Sequence, residues 1–198
     1  MSLTKLFVRV LLLDEDRGRG ALIAQALIDS DSGFEILRPD VNTNLIKLVE
    51  SFHPDVIIIE VDSPSRDTLE HLSIINEHNP KPVVMFSSDD DSLLIGKAIR
   101  SGVSAYVVDG LAHNRVLSIL EVAIARFREY QALKEELTQT KHRLADRKVI
   151  EKAKGFLMKQ KLMTEDDAFK VLRKMAMDKG QSIAEVAASV MAVAELLS

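Results

Sequence analysis

Five short apolar runs, separated by amphipathic stretches, constrain this chain more than any other feature. They are Phe7–Leu13, Phe34–Leu37, Val56–Val61, Val83–Phe86 and Ala105–Val108. Each is aliphatic or β-branched and about the length of a strand. Runs that are apolar at every position need cover on both faces, which a parallel sheet between helices provides. The stretches between them have helical spacing. They are Ala21–Ile28, where Leu22, Ala26 and Leu27 share a face, then Leu45–Phe52, Leu69–Ile75 and Leu93–Ile99. The alternation predicts an α/β fold, an open five-stranded, doubly wound parallel sheet over residues 5–125. Right-handed crossovers place the C-terminal strand ends along one edge, where such folds keep their sites.

That edge is acidic. Strand one ends in Asp14-Glu15-Asp16, strand three in Glu60-Val61-Asp62-Ser63-Pro64, strand four in Ser87-Ser88 and strand five in Asp109-Gly110. Carboxylates converging from three strand ends repel one another. A hard divalent cation such as Mg2+ at Asp14, Glu15 and Glu60, or bound protons, would offset that repulsion. No other cofactor is expected.

Composition excludes several classes. With no Cys there are no disulfides, thiolate metal sites or Cys nucleophile. No Trp and 5% aromatic residues argue against an aromatic platform for stacking bases. No apolar run approaches the ~18 residues a membrane span needs, and the N-terminus lacks a signal-peptide pattern. These features fit a reducing cytoplasm and no membrane partner. The net charge of −4 is unevenly spread, with −8 on residues 1–140 and +4 on residues 141–198. Such a switch suggests two modules with different partners, although a solvated lysine-rich helix would give the same count.

From Asn114 to Lys161 there is no Pro, and the only Gly is Gly155. Val116, Ala123, Tyr130, Leu137 and Leu144 repeat every seven residues. Ile119, Leu133 and Thr140 supply part of the second heptad position, interrupted by Arg126. This pattern predicts a coiled-coil linker helix over residues 114–145 that pairs two chains in a parallel homodimer. The alternative is one long helix packed on its own domain.

Residues 141–198 read as a small all-α domain of three helices. Val149, Ile150, Ala153, Phe156 and Leu157 form the apolar face of the first. Thr164 caps the second, which stops near Gly180. Ser182 and Glu185 form a capping box for the third, whose apolar face runs from Ile183 to Leu197. On the first helix Lys148, Lys152, Gly155 and Lys159 step by four, three and four, so they share one face opposite the apolar side. Arg147 and Lys154 flank that stripe, and Arg173 and Lys174 add cations from the second helix. A Gly in a basic helical face lets a phosphate backbone approach closely; equally, Gly155 could let two helices pack.

Two resemblances sharpen these expectations. The runs VLLLDED, DVIIIEVDSPSRDTLE, PVVMFSSDDD and GVSAYVVDG resemble, in order, the motifs of a two-component receiver domain of flavodoxin-like topology. Asp14 and Glu15 fall on that family's metal-binding acidic pair and Ser87 on its Ser/Thr switch position. The phosphoacceptor Asp is replaced by Glu60, and the Lys after strand five by Asp109. Glu is one methylene too long for in-line phosphoryl transfer, and Asp109 removes the cation that would neutralise a phosphoryl group. The resemblance therefore implies a degenerate receiver that docks proteins and does not accept phosphate. Residues 141–197, DRKVIEKAKGFLMKQKLMTEDDAFKVLRKMAMDKGQSIAEVAASVMAVAELL within them, resemble an ANTAR domain. The whole arrangement is similar to NasT- and AmiR-type antitermination regulators. That similarity implies binding of paired hairpins in a leader mRNA, a sensor or inhibitor protein as partner, and control of nitrate or nitrite assimilation. On that basis Arg147, Lys148, Lys152, Lys154, Gly155, Lys159, Arg173 and Lys174 are the expected RNA contacts.

Two other classes are weighed against this reading. A phosphorylation-controlled DNA-binding response regulator could use the last three helices as a helix-turn-helix. Its basic residues, however, lie on the first helix and not the third. An enzyme would need a nucleophile–base pair. The five His (His53, His71, His78, His113, His142) have no ligand spacing, so no enzymatic activity is expected.

Overall fold

The computed structural model describes residues 8–30, 33–40, 43–109 and 112–196, with no side-chain description for the last two. Phe7, Gly110 and Leu197, which the sequence analysis used, lie outside the described residues. The chain divides into two compact units, residues 1–131 and 132–198. Helix α5 (Val116–Lys161) runs through the division, so neither 125 nor 141 marks a break in secondary structure.

In the first unit, strands β1 (Val8–Asp14), β2 (Phe34–Leu37), β3 (Val56–Val61), β4 (Val83–Ser87) and β5 (Ala105–Val108) form one parallel sheet. Their order is β2-β1-β3-β4-β5, the flavodoxin-like order with its reversal between β1 and β3. β3 is central and buried at every position, as its unbroken apolar run requires. Helices α1 (Arg17–Ile28), α2 (Leu45–Phe52), α3 (Arg66–His78) and α4 (Ser92–Arg100) alternate with the strands. Two apolar clusters lie on the two sheet faces. One joins Val10, Leu12, Ile58 and Val84 to α1 and the start of α5. The other joins Leu11, Ile57, Ile59 and Met85 to α2, α3 and α4.

The parallel register aligns the strand ends that carry chemistry. Asp14 pairs with Glu60, Glu60 with Phe86, and Ser87 with Val108. The expected face of α1 needs one correction. Ile23, Ala26 and Leu27 are buried, whereas Leu22 is 52% exposed. The helix begins at Arg17, earlier than its apolar spacing suggested, because Asp16 caps it by accepting bonds from the amides of Gly18 and Arg19.

The second unit packs α6 (Glu165–Lys179) and α7 (Ile183–Leu196) on the last turns of α5. Ala153, Leu157, Ala168, Leu172, Ala176, Val186 and Ala187 form its core. Its helix ends follow the expected chemistry. Thr164 Oγ1 accepts from the Asp167 amide at 3.2 Å, and Gly180 ends α6 in the left-handed region at φ 62°. The capping box is reciprocal: the Ser182 amide donates to Glu185 Oε2 at 2.7 Å, and the Glu185 amide donates to Ser182 Oγ at 3.2 Å.

The heptad row on α5 serves more than one purpose. Val116, Leu120 and Ala123 are buried in the first unit's core. Tyr130, Leu133, Leu137 and Leu144 are each more than half exposed. The four-heptad seam expected from the sequence thus shrinks to its second half, because the first half fills the chain's own core. Leu120→Ala should lower the unfolding free energy of the first unit by about 2–5 kcal/mol in urea titrations. Leu137→Ala should leave that transition in place and weaken self-association measured by sedimentation.

Candidate nucleic-acid interface

The last third of α5 carries the basic row. Lys148, Lys152 and Lys159 are exposed, on the side of the helix away from Ala153 and Leu157. Arg147 beside them, and Arg173 and Lys174 on α6, are exposed as well. None of these six forms an ion pair among the described residues. Lys134, Lys141, Arg143, Lys161 and Lys179 of the same unit form no ion pair among the described residues either, whereas Lys154 and Lys170 are neutralised. Lys170 lies 2.5 Å from Asp166 Oδ2. Unpaired cations gathered in one small unit produce a positive field that attracts a polyanion.

Lys154 departs from the expected contact set. It is 8% exposed, and its ammonium lies 2.8 Å from Glu151 Oε1 and 2.6 Å from Glu165 Oε1. These two partners hold it firmly in the charged form and raise its pKa. Helical geometry explains the placement. Lys154 lies two positions from Lys152 and so points to the α6 side of α5, where Glu165 begins the next helix. Its role is to tie α5 to α6.

Gly155 behaves differently from a packing glycine. A Cβ built on it meets nothing within 4 Å. Glycine inside a helix costs about 0.5–1 kcal/mol relative to alanine. No neighbouring helix among the described residues needs the space, so the packing explanation fails. Next to the basic row is a cleft of about 730 Å³ lined by Leu144, Ala145, Val149 and Met191 together with Arg147, Lys148, Lys152 and one carboxylate, Glu151. An apolar lining with a surplus of cations suits an unstacked nucleobase and its phosphate.

The acidic edge of the first unit has a different charge balance from the one expected. Glu60, 2% exposed, receives the Asp16 amide at 3.2 Å. Arg19 Nε lies 2.7 Å from Glu60 Oε1, an ion pair whose N–H is not aligned for a hydrogen bond. The same guanidinium reaches Asp62 and donates to Ser88 Oγ at 3.3 Å. Arg38 donates to Asp14 Oδ2 at 2.6 Å. Two arginines therefore supply the positive charge that the sequence argument assigned to Mg2+. Among the described residues no three His, Cys, Asp or Glu gather as a metal site. Asp14 and Glu60 could not both face a metal ion without losing their guanidiniums, so this donor set does not fit one. Glu15 turns aside and accepts from the Asp62 amide at 3.3 Å.

The other positions that the receiver resemblance singled out lie around a cleft of about 210 Å³, which Arg19, Glu60, Ser87 and Asp109 line. Ser87 Oγ donates to the Asp62 carbonyl at 2.8 Å. Asp109 is exposed, with a left-handed φ of 47°. Arg19 and Arg38 were missed in the sequence, yet each had a signal. Arg19 falls in the first turn after the acidic strand end, and Arg38 directly follows β2 at the same edge. Gly20 permits the arrangement, because a Cβ there would lie 2.3 Å from Asp14 Oδ2.

A response regulator receiver domain model matches residues 10–121, and an ANTAR domain model matches residues 138–191. The transcriptional regulatory protein PdtaR of Mycobacterium tuberculosis is 32% identical over 182 residues, covering 90% of this chain and 87% of that protein. A nitrate regulatory protein of Klebsiella oxytoca is 39% identical over 88 residues, which cover 44% of this chain and 22% of that protein. Solved structures share the fold of the first unit. A DNA-binding response regulator of the LuxR family from Staphylococcus aureus has a TM-score of 0.51 at 22% identity, covering 60% of this chain and 99% of that one. A CheY-like receiver domain protein from Methanospirillum hungatei has a TM-score of 0.52 at 15% identity, covering 63% and 98%.

Burial holds the Glu60 carboxyl above its ordinary value, against the lowering effects of the Asp16 amide and Arg19. Between the ordinary Glu value and the raised one, the folded state keeps a proton that the unfolded state has released. Stability from this group is full below the ordinary Glu value and declines as pH rises through the raised folded value. The unfolding free energy of the wild type minus that of Glu60→Gln should therefore fall with rising pH across that window. A difference that rises would contradict the assignment.

Proposed function

This chain belongs to the response regulators that join a receiver domain to an ANTAR domain, and from that premise we propose that it is an RNA-binding transcription antitermination regulator. The observation that carries the proposal is the row of unpaired cations on α5 with an open glycine in its middle. The lysines meet phosphates, Gly155 lets the sugar–phosphate backbone come close, and the neighbouring cleft takes a splayed loop base. A hairpin loop offers such bases, while an A-form stem hides them in its deep major groove. The ligand class is therefore a hairpin of a leader transcript.

The exposed stretch centred on Leu133 and Leu137 joins two chains, so that two modules face two hairpins. Pairing raises the effective concentration at the second hairpin and favours tandem sites. The receiver serves as a dimerisation and docking unit that takes no phosphoryl group. Glu60 is too long for in-line attack, Asp109 repels the incoming anion, and Arg19 is already paired with Glu60. Its acidic surface is the docking site for a sensor partner that gates RNA binding. By analogy with the nitrate regulatory relative, the signal is nitrate or nitrite. The protein works in the cytoplasm and regulates without catalysis. No helix among the described residues is long and apolar enough to cross a membrane.

A salt-titrated binding assay should rank a two-hairpin leader RNA above a one-hairpin RNA, and both above duplex DNA; preference for duplex DNA would favour a transcription factor instead. Lys148→Glu with Lys152→Glu should abolish RNA binding while circular dichroism stays native. Gly155→Ala should stabilise the second unit by roughly 0.5–1 kcal/mol yet weaken RNA binding. Gain of both stability and affinity would mean that the glycine faces no ligand. Incubation with a small-molecule phosphodonor should add no mass to the intact protein.

A further inference from the structure

A second cavity lies at the opposite edge of the sheet from the acidic cluster, within the first unit. Its volume is about 460 Å³, in the range of small-molecule sites. One wall is the tight turn after α4. There the Gly102 amide donates to Ile99 O at 3.1 Å, the Val103 amide to Ala98 O at 3.1 Å, and the Ser104 amide to Val83 O at 2.8 Å. Gly102 has a φ of 105°, and a Cβ there would press on Asn76 at 2.7 Å, so the wall is preformed. The other wall is α5, where Arg126, Phe127, Tyr130 and Gln131 share one face by their spacing of three and four.

Three observations concern the chemistry of this cavity. Arg126 occupies a heptad position that the repeat reserves for an apolar residue. Arg126 and Arg100, both on the cavity wall, form no ion pair among the described residues, although this half of the chain carries excess acid. The carboxamide nitrogen of Gln131 is buried and has no hydrogen-bond partner. Phe127, Tyr130 and Val103 supply an apolar surface beside these donors.

We propose that this cavity binds a small planar anion, an aromatic ring bearing a carboxylate or a phosphate. The guanidinium forks of Arg100 and Arg126 take the anionic oxygens, and the ring lies against Phe127 and Tyr130. The site gives the first unit a small-molecule input at the edge of the sheet away from Glu60.

Calorimetric titration of the full-length protein with indole-3-acetate and with adenosine monophosphate tests the proposal and separates its two sources. At least one probe should bind saturably and raise the melting temperature. The carboxylate binding alone, or the phosphate alone, identifies the class of ligand. Arg126→Gln and Arg100→Gln, both at exposed positions, should each weaken that binding about tenfold, the loss expected for a charge-assisted hydrogen bond. Lys148→Glu with Lys152→Glu should leave probe binding unchanged. Absence of saturable binding by both probes would overturn the proposal. So would unchanged affinity in the arginine variants, or loss of binding in the lysine pair, which would place the probe on the basic row.

Discussion

The apolar face of α5 is the constraint on which the rest of the structure depends. A long helix is marginal in water unless one face is buried, and different lengths of this face are buried in two separate cores. Val116, Leu120 and Ala123 complete the sheet's cover, and Ala153 and Leu157 complete the three-helix core. Between them, Tyr130, Leu133, Leu137 and Leu144 stay exposed at near-heptad spacing. The cationic row occupies the other side of the same turns that bury Ala153 and Leu157. The core therefore fixes the direction in which Lys148, Lys152 and Lys159 point, so the side the row presents is set by packing and not by any local device at the lysines.

The two ends of the chain handle charge in opposite ways. At the sheet edge the carboxylates Asp14 and Glu60 are matched internally by Arg38 and Arg19. The matching cation is a planar, singly charged group fixed to the chain, where a divalent ion would be exchangeable. On α5 and α6 the reverse holds, since Arg147, Lys148, Lys152, Lys159, Arg173 and Lys174 are left without carboxylates while Lys154 takes two. An edge balanced from within is suited to being a fixed surface. A row left unbalanced is suited to meeting an outside polyanion.

Much of this was legible in the sequence. The strands were readable because a buried parallel strand must be apolar at every position, and β2, β3 and β5 begin and end where their apolar runs do. The capping residues Thr164 and Ser182 with Glu185 were readable because their chemistry is local. The errors came where the deciding partner is distant in sequence. Leu22 looked inward by composition, but Ile23 takes that place. The heptads did not reveal which of their apolar residues the chain itself would consume. Lys154 looked like part of the stripe because its partner Glu165 belongs to the next helix. The acidic edge suggested a metal because Arg19 and Arg38 meet it only once the sheet has formed.

The slope of log affinity against log salt for a two-hairpin RNA tests the central claim most directly. Each lysine that neutralises a phosphate contributes about 0.7–0.9 to that slope. Removing the charge singly with Lys148→Gln, Lys152→Gln or Lys159→Gln should reduce the slope by nearly that amount each time, and Lys154→Gln should leave it unchanged. Equal slopes for all four variants and the parent protein would contradict the account, because the row on α5 would then not be where the transcript's phosphates lie.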